Sequence, residues 1–514
     1  MQTNLGSDKQ SNLVSVLEEA SSMDNAPCEI ADQVKEILAG CNVSLLRLEE
    51  LTRSRYGQGS AYFIPSGFLS RIKKGVQPQI FQLLALSRIT DFRLDDWLRV
   101  FGIEVSYIPH LQLKLHASRT ICVTPNGSLD PPADADDCSF ANGLIQDQPS
   151  ELRNPTRFLY SRIGQSDGMA FPEIMPGSIV RVDTTLNELP ASGSSKELFL
   201  VEHVGGLSCC HVTRLTRDEV LLTPIYLPYP CLRYRLGEQA VILGTVDAEL
   251  RPMRDIPIPS PDHNSRMERR LPSSLSKLSP AQLLRISRER LGLRYREAQA
   301  ITEEIANELG SSGYTIALGS LSDYEASDAL PRQIRKMVSL SIAYAFDLAT
   351  YLTCAGIDLR DQGRRRMSLE QSRNRRHTSL LNPTVPAPLP TTNGCAIPTS
   401  LLEGFVRCMK PSDSLESIEC YSYAQMNANG PTALLVDRSS TTLERALWHA
   451  PWQRPVYLVQ HRGGHYLHGF CTITDGLMTV HQNSAHHGTA NSYPRGDVEI
   501  VGRVIAVLKK RRAR

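Results

Sequence analysis

The sequence SGFLSRIKKG at residues 66–75 returns in a related form, LGSLSDYEAS, at residues 318–327. Each stretch has Leu-Ser, then one polar residue, then Ile or Tyr, and the two begin 252 residues apart. Such a spacing, if it recurs, predicts a chain built from two copies of one unit. Three more pairs of landmarks are separated by 254, 254 and 258 residues: FGIEV (101–105) with AGIDL (355–359), SIVRVD (178–183) with ALLVD (433–437), and AVILGTVDAEL (240–250) with VEIVGRVIAVL (498–508). We therefore expect a tandem duplication.

Each copy is expected to have a helical front half and a strand-rich back half. In the front halves apolar residues recur every three or four positions, as in Leu45, Leu48 and Leu51. In the back halves short β-branched runs are separated by turns, among them Gly205-Gly206 and Gly463-Gly464. The predicted fold class is α+β and multidomain, with two five-helix bundles alternating with two small, mostly antiparallel β domains.

Stretches rich in Pro, Asp, Ser or Arg mark the expected linkers. The predicted order is a flexible segment (1–28), helical domain 1 (29–108), a linker (109–156), β domain 1 (157–250), a linker (251–276), helical domain 2 (277–360), a basic and Pro-rich linker (361–400), β domain 2 (401–508) and a basic tail (509–514).

The composition restricts the possible functions of the chain. Of 514 residues 41% are hydrophobic, which excludes a wholly disordered chain. Lys and Arg number 56 against 54 Asp and Glu, so positive charge that binds nucleic acid must be local. Residues 360–376 provide one such concentration, with seven Arg and two acids, although a solvated basic loop has the same composition.

Sequence features also suggest where the protein resides. The 12 cysteines include no CxxC pair, which argues against a disulfide framework and a Cys-only zinc site. The N-terminus lacks the basic and apolar regions of a signal peptide, and no apolar run approaches the ~18–20 residues of a membrane span. We expect a cytoplasmic protein, with no metal, no cofactor and no membrane contact.

The helical halves resemble the lambda-repressor/Cro-like (XRE-type) helix-turn-helix family. The resemblance rests on the second helix, turn and third helix, namely SLLRLEELTRSRYG with SGFLSRIKKG and LRYREAQAITEEIANELG with ALGSLSDYEAS. The family's third helix commonly reads Ser-x-x-(Leu/Ile)-Ser-x-(Ile/Tyr)-Glu-x-Gly. Copy one has Lys73 at the Glu position, and copy two keeps Glu325 without the following Gly. The resemblance implies that the third helix enters the major groove of DNA.

The third helices supply the candidate DNA contacts. Arg71 is the strongest candidate for base reading, since a guanidinium bonds guanine in a bidentate manner. Phe68 either touches a thymine methyl or packs in the core, and the lysines either reach phosphates or form a solvated helix end. The third helix of copy two has no cation and either contacts DNA or is a degenerate packing module. The predicted DNA-binding residues are Ser66, Gly67, Phe68, Ser70, Arg71, Lys73, Lys74, Arg294, Arg296, Ser320, Ser322, Arg332, Arg364, Arg365 and Arg366.

The β halves resemble the LexA-like, signal-peptidase-fold domain of self-cleaving repressors. That family uses a serine followed by Met as nucleophile and a lysine as general base. Here Gly168 precedes Met169, and Thr213 stands where the lysine belongs. In copy two Gln425 precedes Met426, and the matching strand, YLHGF, has no lysine. The resemblance therefore implies two β domains that lack the catalytic dyad and serve dimerisation or sensing.

The expected function is that of a sequence-specific transcriptional regulator, most simply a repressor. Its expected partners are double-stranded DNA and a second copy of the chain, paired through the β domains. Two alternatives remain at this point. One is a self-cleaving protease with a relocated dyad, Ser166 or Ser178 with Lys196. The other is a protein-interaction adaptor whose helical modules no longer bind DNA.

Overall fold

The structure, a computed structural model, is an α+β molecule in which helices pack against a large antiparallel sheet. This confirms the predicted mixed α+β class. The described residues are 27–123, 129, 157–189, 193–253, 259, 278–328, 330–367, 397, 399–409, 417–422, 433–444, 451–481 and 490–511.

The described part of the chain contains two groups of five helices, each with one further helix after it. Helical domain 1 consists of α1 to α5 and helical domain 2 of α7 to α11. The helices are α1 (27–40), α2 (Leu45–Tyr56), α3 (Phe68–Lys73), α4 (Ile80–Thr90), α5 (Leu94–Val100), α6 (Ile108–Leu115), α7 (Pro280–Arg290), α8 (Tyr295–Glu308), α9 (Leu318–Ala326), α10 (Ile334–Ala343), α11 (Leu348–Cys354) and α12 (Thr399–Met409).

Short polar residues set where two of these helices begin. The Ser44 hydroxyl accepts a hydrogen bond from the backbone N–H of Arg47 at the start of α2. Ser279 and Gln282 form a capping box at the start of α7, with Pro280 at the first helical position. Gly57 ends α2 with a φ of 85°, a value that favours glycine. These local signals fix both ends of α2 and the beginning of α7.

The strands of the described residues form two lobes. β lobe 1 consists of β1 to β8 and β lobe 2 of β9 to β15. The strands are β1 (Ile121–Cys122), β2 (Phe158–Arg162), β3 (Ile179–Asp183), β4 (Gly193–His203), β5 (Gly206–Arg214), β6 (Glu219–Thr223), β7 (Leu232–Arg235), β8 (Ala240–Pro252), β9 (Ile418–Ser422), β10 (Ala433–Asp437), β11 (Val456–His461), β12 (Tyr466–Thr474), β13 (Leu477–His481), β14 (Ala490–Pro494) and β15 (Val498–Lys510).

The two lobes share close details at equivalent positions, meaning positions separated by the offset of the nearest sequence landmark. Gly244 of β8 and Gly502 of β15 each lie against a backbone carbonyl, that of Asp183 and that of Asp437 respectively. Each of these aspartates accepts a hydrogen bond from the backbone N–H two residues later, and so closes a turn. The same glycine-to-aspartate contact therefore shapes both lobes.

The lobes are joined into one sheet by antiparallel pairing of β8 with β15. The main path of the sheet runs β14-β13-β12-β11-β15-β8-β4-β5-β6-β7, with β3 also paired to β8 and β10 to β15. Leu250 lies directly opposite Leu508, and these two residues are equivalent positions of the two copies. The expectation of two separate β domains is thus corrected, because their long last strands meet in one ladder.

The helical domains lie over one side of this junction. Leu250, Leu508 and Ala506 belong to the same buried apolar cluster as both helical domains. On the other side of the ladder Glu249 forms an ion pair with Arg251 at 3.0 Å and lies opposite Lys509. Neighbouring residues of a strand point to opposite faces, so the junction has one apolar and one charged face.

Each helical domain is held by the chain segment that follows the other helical domain. From α6, the Gln112 amide donates to the backbone carbonyls of Ser341 and Phe346, at 3.0 and 3.1 Å. In the opposite direction, the side-chain oxygen of Gln362 accepts from the Leu94 backbone N–H at 3.1 Å. We call these two contacts the reciprocal clasp. They bury backbone polar groups of one copy against a glutamine of the other.

A buried ion pair also links helical domain 2 to β lobe 1. The Arg290 guanidinium on α7 donates to both carboxylate oxygens of Glu202 on β4, at 3.0 and 2.8 Å. Both side chains are 6% exposed. Removal of either partner would leave an unpaired buried charge, so this contact strongly disfavours separation of the two units.

Three predicted linkers or tails contain regular structure. The predicted linker 109–156 begins inside α6, which packs against α10 and α12. The predicted basic tail begins inside β15, which runs to Lys510, and β8 extends into the predicted linker 251–276. These boundaries were wrong because pairing across the two copies, which sequence periodicity does not reveal, orders the segments. Residues 1–26 lie outside the described part.

We expect Gly502→Ala to lower the free energy of unfolding by about 2 kcal/mol or more. A Cβ at this position would collide with the Asp437 carbonyl oxygen and lie 2.9 Å from the Val436 side chain. Gly59→Ala is the matched control, since a Cβ there meets nothing within 4 Å. Urea unfolding of the full chain measures both variants, and equal stability of the two would contradict the packing described here.

The His116 imidazole should make stability depend on pH. Burial lowers the pKa of His116 from 6.5 to about 4, and its ring nitrogen lies 2.9 Å from the Ile342 carbonyl oxygen in the other copy. The unfolded chain therefore takes up a proton between pH 6.5 and 4 that the folded protein does not. Stability should fall by about 3 kcal/mol as the pH decreases through this window.

His116→Gln should flatten this part of the pH profile. The glutamine amide does not titrate in this range, and its N–H can still donate to the Ile342 carbonyl oxygen. Comparison of the variant with the wild type at pH 7.5, where the imidazole is neutral in both states, gives the cost of the substitution itself. Chemical unfolding at pH 7.5, 6 and 4.5 measures the difference, and an unchanged slope would show that His116 does not contribute.

Candidate nucleic-acid interface

Helix α3 has one buried and one exposed face. Leu69 and Ile72 pack in the core, whereas Ser70, Arg71 and Lys74 are exposed. The preceding turn is fixed because the Ser66 backbone N–H donates to the Glu49 carboxylate on α2 at 2.8 Å. Hydrogen bonding from Ser66 lowers the pKa of Glu49, which keeps that carboxylate charged. The exposed face is thus presented from a defined position on α2.

Phe68 does not belong to this exposed face. Its side chain is 2% exposed and lies in the apolar cluster of the helical domains. The prediction that Phe68 reaches a base is therefore wrong, and the packing alternative is correct. Gly67 immediately precedes α3, is exposed, and has no heavy atom within 4 Å of a Cβ placed on it.

Two cations, Arg71 on α3 and Lys74 immediately after its last residue, make no ion pair among the described residues. Lys73 differs from them because its ammonium lies 3.2 Å from the Asp32 carboxylate of α1. Both partners of that pair are at least half exposed, so solvent screens the interaction. The positive charge of this surface that is not paired with an acid therefore comes chiefly from Arg71 and Lys74.

Helix α9 has a polar outer face of different chemistry. Ser322 and Asp323 are exposed, and Ser320 is half-buried. Leu318 at the start of the helix is 40% exposed. Arg71 of α3 is thus replaced by an acid at the equivalent position, Asp323. This face can donate and accept hydrogen bonds but offers no positive charge.

Glu325 is a buried anchor rather than a surface residue. Its carboxylate receives three hydrogen bonds from the Arg288 guanidinium, at 2.7, 2.9 and 3.0 Å, and one each from the Tyr295 and Tyr344 hydroxyls. Burial beside this carboxylate raises the pKa of Tyr344 far above its ordinary value. The network ties α9 to α7. Lys73 and Asp32 join the equivalent helices of helical domain 1 with the charges reversed.

Three further predicted DNA contacts lie around helical domain 2. Arg294 and Arg296 are exposed at the start of α8, and Arg332 is exposed just before α10. None of them forms an ion pair with another described residue. They are cations on the helices that flank α9, which itself has none.

The basic segment after helical domain 2 is docked on helical domain 1. The Arg364 N–H donates to the Asp91 carboxylate at 3.1 Å, and the Arg365 N–H donates to the Asp91 carbonyl at 2.8 Å. The Arg366 guanidinium lies 2.6 Å from the Asp95 carboxylate, so an acid already balances its charge. The prediction of a free basic loop is corrected for residues 361–367, while 368–376 lie outside the described part. Arg364 and Arg365 remain exposed.

The degenerate dyad positions do not form a nucleophilic centre. A Cβ at Gly168 would lie 2.5 Å from the Tyr229 ring, so a serine does not fit without movement. Thr213 lies on β5, paired with Leu221 of β6. Gln425 lies outside the described residues.

The proposed relocated dyad is not assembled either. The Ser178 hydroxyl is buried and donates to the Glu249 carboxylate at 2.8 Å. Lys196 is exposed on β4, and Ser166 is half-buried. In the described part of the chain no lysine is hydrogen-bonded to either serine.

A cavity of about 470 Å³ in β lobe 1 was not anticipated from the sequence. Leu189, Ala240 and Ile242 line its apolar side, and Arg214 supplies a cation. The Nε atom of Arg214 is buried, and no described residue accepts a hydrogen bond from it. A lone Arg in a strand has no spacing signal, which explains why sequence reasoning missed it.

We expect Glu325→Gln to lower the free energy of unfolding by about 3 kcal/mol, because it removes the carboxylate that bonds the half-buried Arg288 guanidinium and leaves only Glu289, 4.0 Å away, to balance that charge. Lys73→Gln at the equivalent position breaks only an exposed pair and should cost less than about 1 kcal/mol. Thermal unfolding of both variants makes the comparison. Similar effects at the two sites would show that Glu325 does not anchor α9.

The described residues show no group of three His, Cys, Asp or Glu side chains placed to hold a metal ion. Within the same residues no single helix has the length and apolarity to cross a bilayer, although α10 and α11, bent by 117°, pass that test as a pair. Comparison of the chain with models of protein families, with curated proteins and with solved structures gave no match.

Proposed function

We propose that this protein is a sequence-specific DNA-binding transcriptional regulator that places α3 in the major groove. The observation that carries the proposal is the uncovered outer face of α3, with Arg71 and Lys74 exposed and without counterions among the described residues. The B-DNA major groove is about 12 Å wide and accepts one α-helix. The resemblance to lambda-repressor/Cro-like proteins assigns the same helix to this task.

The side chains of α3 divide into two roles. Arg71 projects from the middle of the exposed face and is suited to bidentate bonding of guanine. Ser66 and Ser70 bond to bases or to the nearer phosphates. Lys74 lies at the C-terminal end and is suited to a phosphate, which fixes position without reading sequence.

Helical domain 2 makes the weaker contact in this proposal. Ser320 and Ser322 can bond bases, but Asp323 repels phosphates. The attraction of helical domain 2 to DNA phosphates must then come from Arg294, Arg296 and Arg332 around α9.

The β lobes act as a non-cleaving scaffold in this proposal. Their dyad positions carry Gly168 and Thr213, and the buried Ser178 is bonded to Glu249 rather than to a base of suitable strength. Repression would follow from occupancy of the operator. In this proposal the protein acts in the cytoplasm and regulates transcription by binding DNA, not by proteolysis.

Arg71→Ala should weaken binding to the preferred duplex by about 10-fold or more and relax the preference at one base pair, because a bidentate contact contributes about 1–3 kcal/mol of discrimination. Lys74→Ala should weaken all sequences alike and reduce the salt dependence by about one phosphate contact. Fluorescence anisotropy at several salt concentrations, with duplexes from the region upstream of the protein's own reading frame and from random-sequence selection, measures both.

Arg235→Ala is the matched control, since Arg235 is an exposed cation on β7 at the far edge of the sheet. It should leave affinity and preference unchanged. Equal losses for all three variants, or a preference that Arg71→Ala does not alter, would contradict the assignment of α3 as the reading helix.

A further inference from the structure

We infer that one chain, without a second copy, fills a DNA site made of two unlike half-sites in inverted orientation. The inference rests on the proposed function and specifies its ligand and stoichiometry. It comes from the way in which the two copies meet inside the chain.

The β8–β15 ladder has the pairing of a two-fold dimer. Leu250 pairs with its own equivalent, Leu508. The residue before it, Glu249, pairs with Lys509, and the residue after it, Arg251, pairs with Val507. Lys509 is the equivalent of Arg251, and Val507 is the equivalent of Glu249. Each copy therefore presents the same patch to the other, which defines an isologous contact between identical subunits.

Each helical domain is also contacted by the other copy at the same place, although through groups that are not equivalent. In both, an equivalent serine hydroxyl donates to an equivalent carbonyl, Ser87 to Phe92 and Ser341 to Phe346. The opposite copy contacts each domain at this serine-to-carbonyl bond. Gln112 donates to the carbonyls of Ser341 and Phe346, and the Gly363 N–H donates to the Ser87 hydroxyl at 2.9 Å.

The two-fold relation of the β8–β15 ladder, extended to the helical domains of the two copies, relates α3 to α9. Proteins that read inverted repeats present their third helices in this way, with half-site centres about one helical turn, ~34 Å, apart. Two chains normally provide that arrangement. Here the patches that would join two chains, on β8 and β15, are already used within one chain, so the expected homodimer contact is made internally.

The two half-sites must differ because the two reading faces differ. Gly67 and Ser70 have identical equivalents, Gly319 and Ser322. Arg71 instead becomes Asp323 in helical domain 2, and Lys74 becomes Ala326. The α3 half-site should contain the guanine that Arg71 bonds. The α9 half-site should contribute less affinity, because serines bond bases without neutralising phosphates.

The experiment uses the full chain and a duplex obtained by random-sequence selection. Mass photometry and sedimentation should show one chain per duplex at saturation, and a free protein with the mass of one chain. Scrambling the guanine-containing half-site should weaken binding by at least about 10-fold, and scrambling the other half-site should weaken it less.

One arginine variant and one serine variant then show which helix binds which half-site. Arg71→Ala should abolish the preference in the stronger half-site alone, and Ser322→Ala should alter the preference in the weaker half-site alone. Two chains per duplex, or a selected site with two identical half-sites, would overturn the inference and leave the proposed function standing. Failure to select any specific duplex would overturn the proposed function, and the inference with it.

Discussion

The antiparallel pairing of β8 with β15 is the contact on which the rest of the arrangement depends. It places Leu250 against its equivalent, Leu508, and so gives the ladder a local two-fold relation. The apolar side of this ladder is buried under both helical domains. The proposed relation of α3 to α9 rests on this pairing, and the reciprocal clasp adds a second set of contacts between the copies.

The duplication landmarks predicted the order of the helices and strands well, because amphipathic periodicity and turn residues act locally. They did not predict how the copies meet. Nothing in AVILGTVDAEL or VEIVGRVIAVL distinguishes a strand that pairs within its own lobe from one that also pairs across lobes. For the same reason Gln112 and the 361–367 segment were placed in linkers, although distant parts of the chain bury Gln112 and form hydrogen bonds with the segment.

The candidate site was predicted in part. Helical spacing correctly put Leu69 and Ile72 inside and Arg71 outside. It could not decide Phe68, which lies at the boundary of the two faces and is drawn inward by its large apolar surface. The role of Glu325 depends on Arg288, 37 residues away, and such a partner is visible only in three dimensions.

Because of the reciprocal clasp, neither copy of the repeated unit is a complete structure by itself. A break near residue 255 would separate helical domain 1 from the segment whose Gly363 N–H bonds the Ser87 hydroxyl. It would also leave unpaired the edge of β8 that pairs with β15. Neither fragment would keep its full set of satisfied backbone groups, whereas the two fragments together would. Substitutions in the exposed faces of α3 and α9 should therefore be tolerated singly, whereas a substitution at the β8–β15 ladder should require a compensating change in the opposite strand.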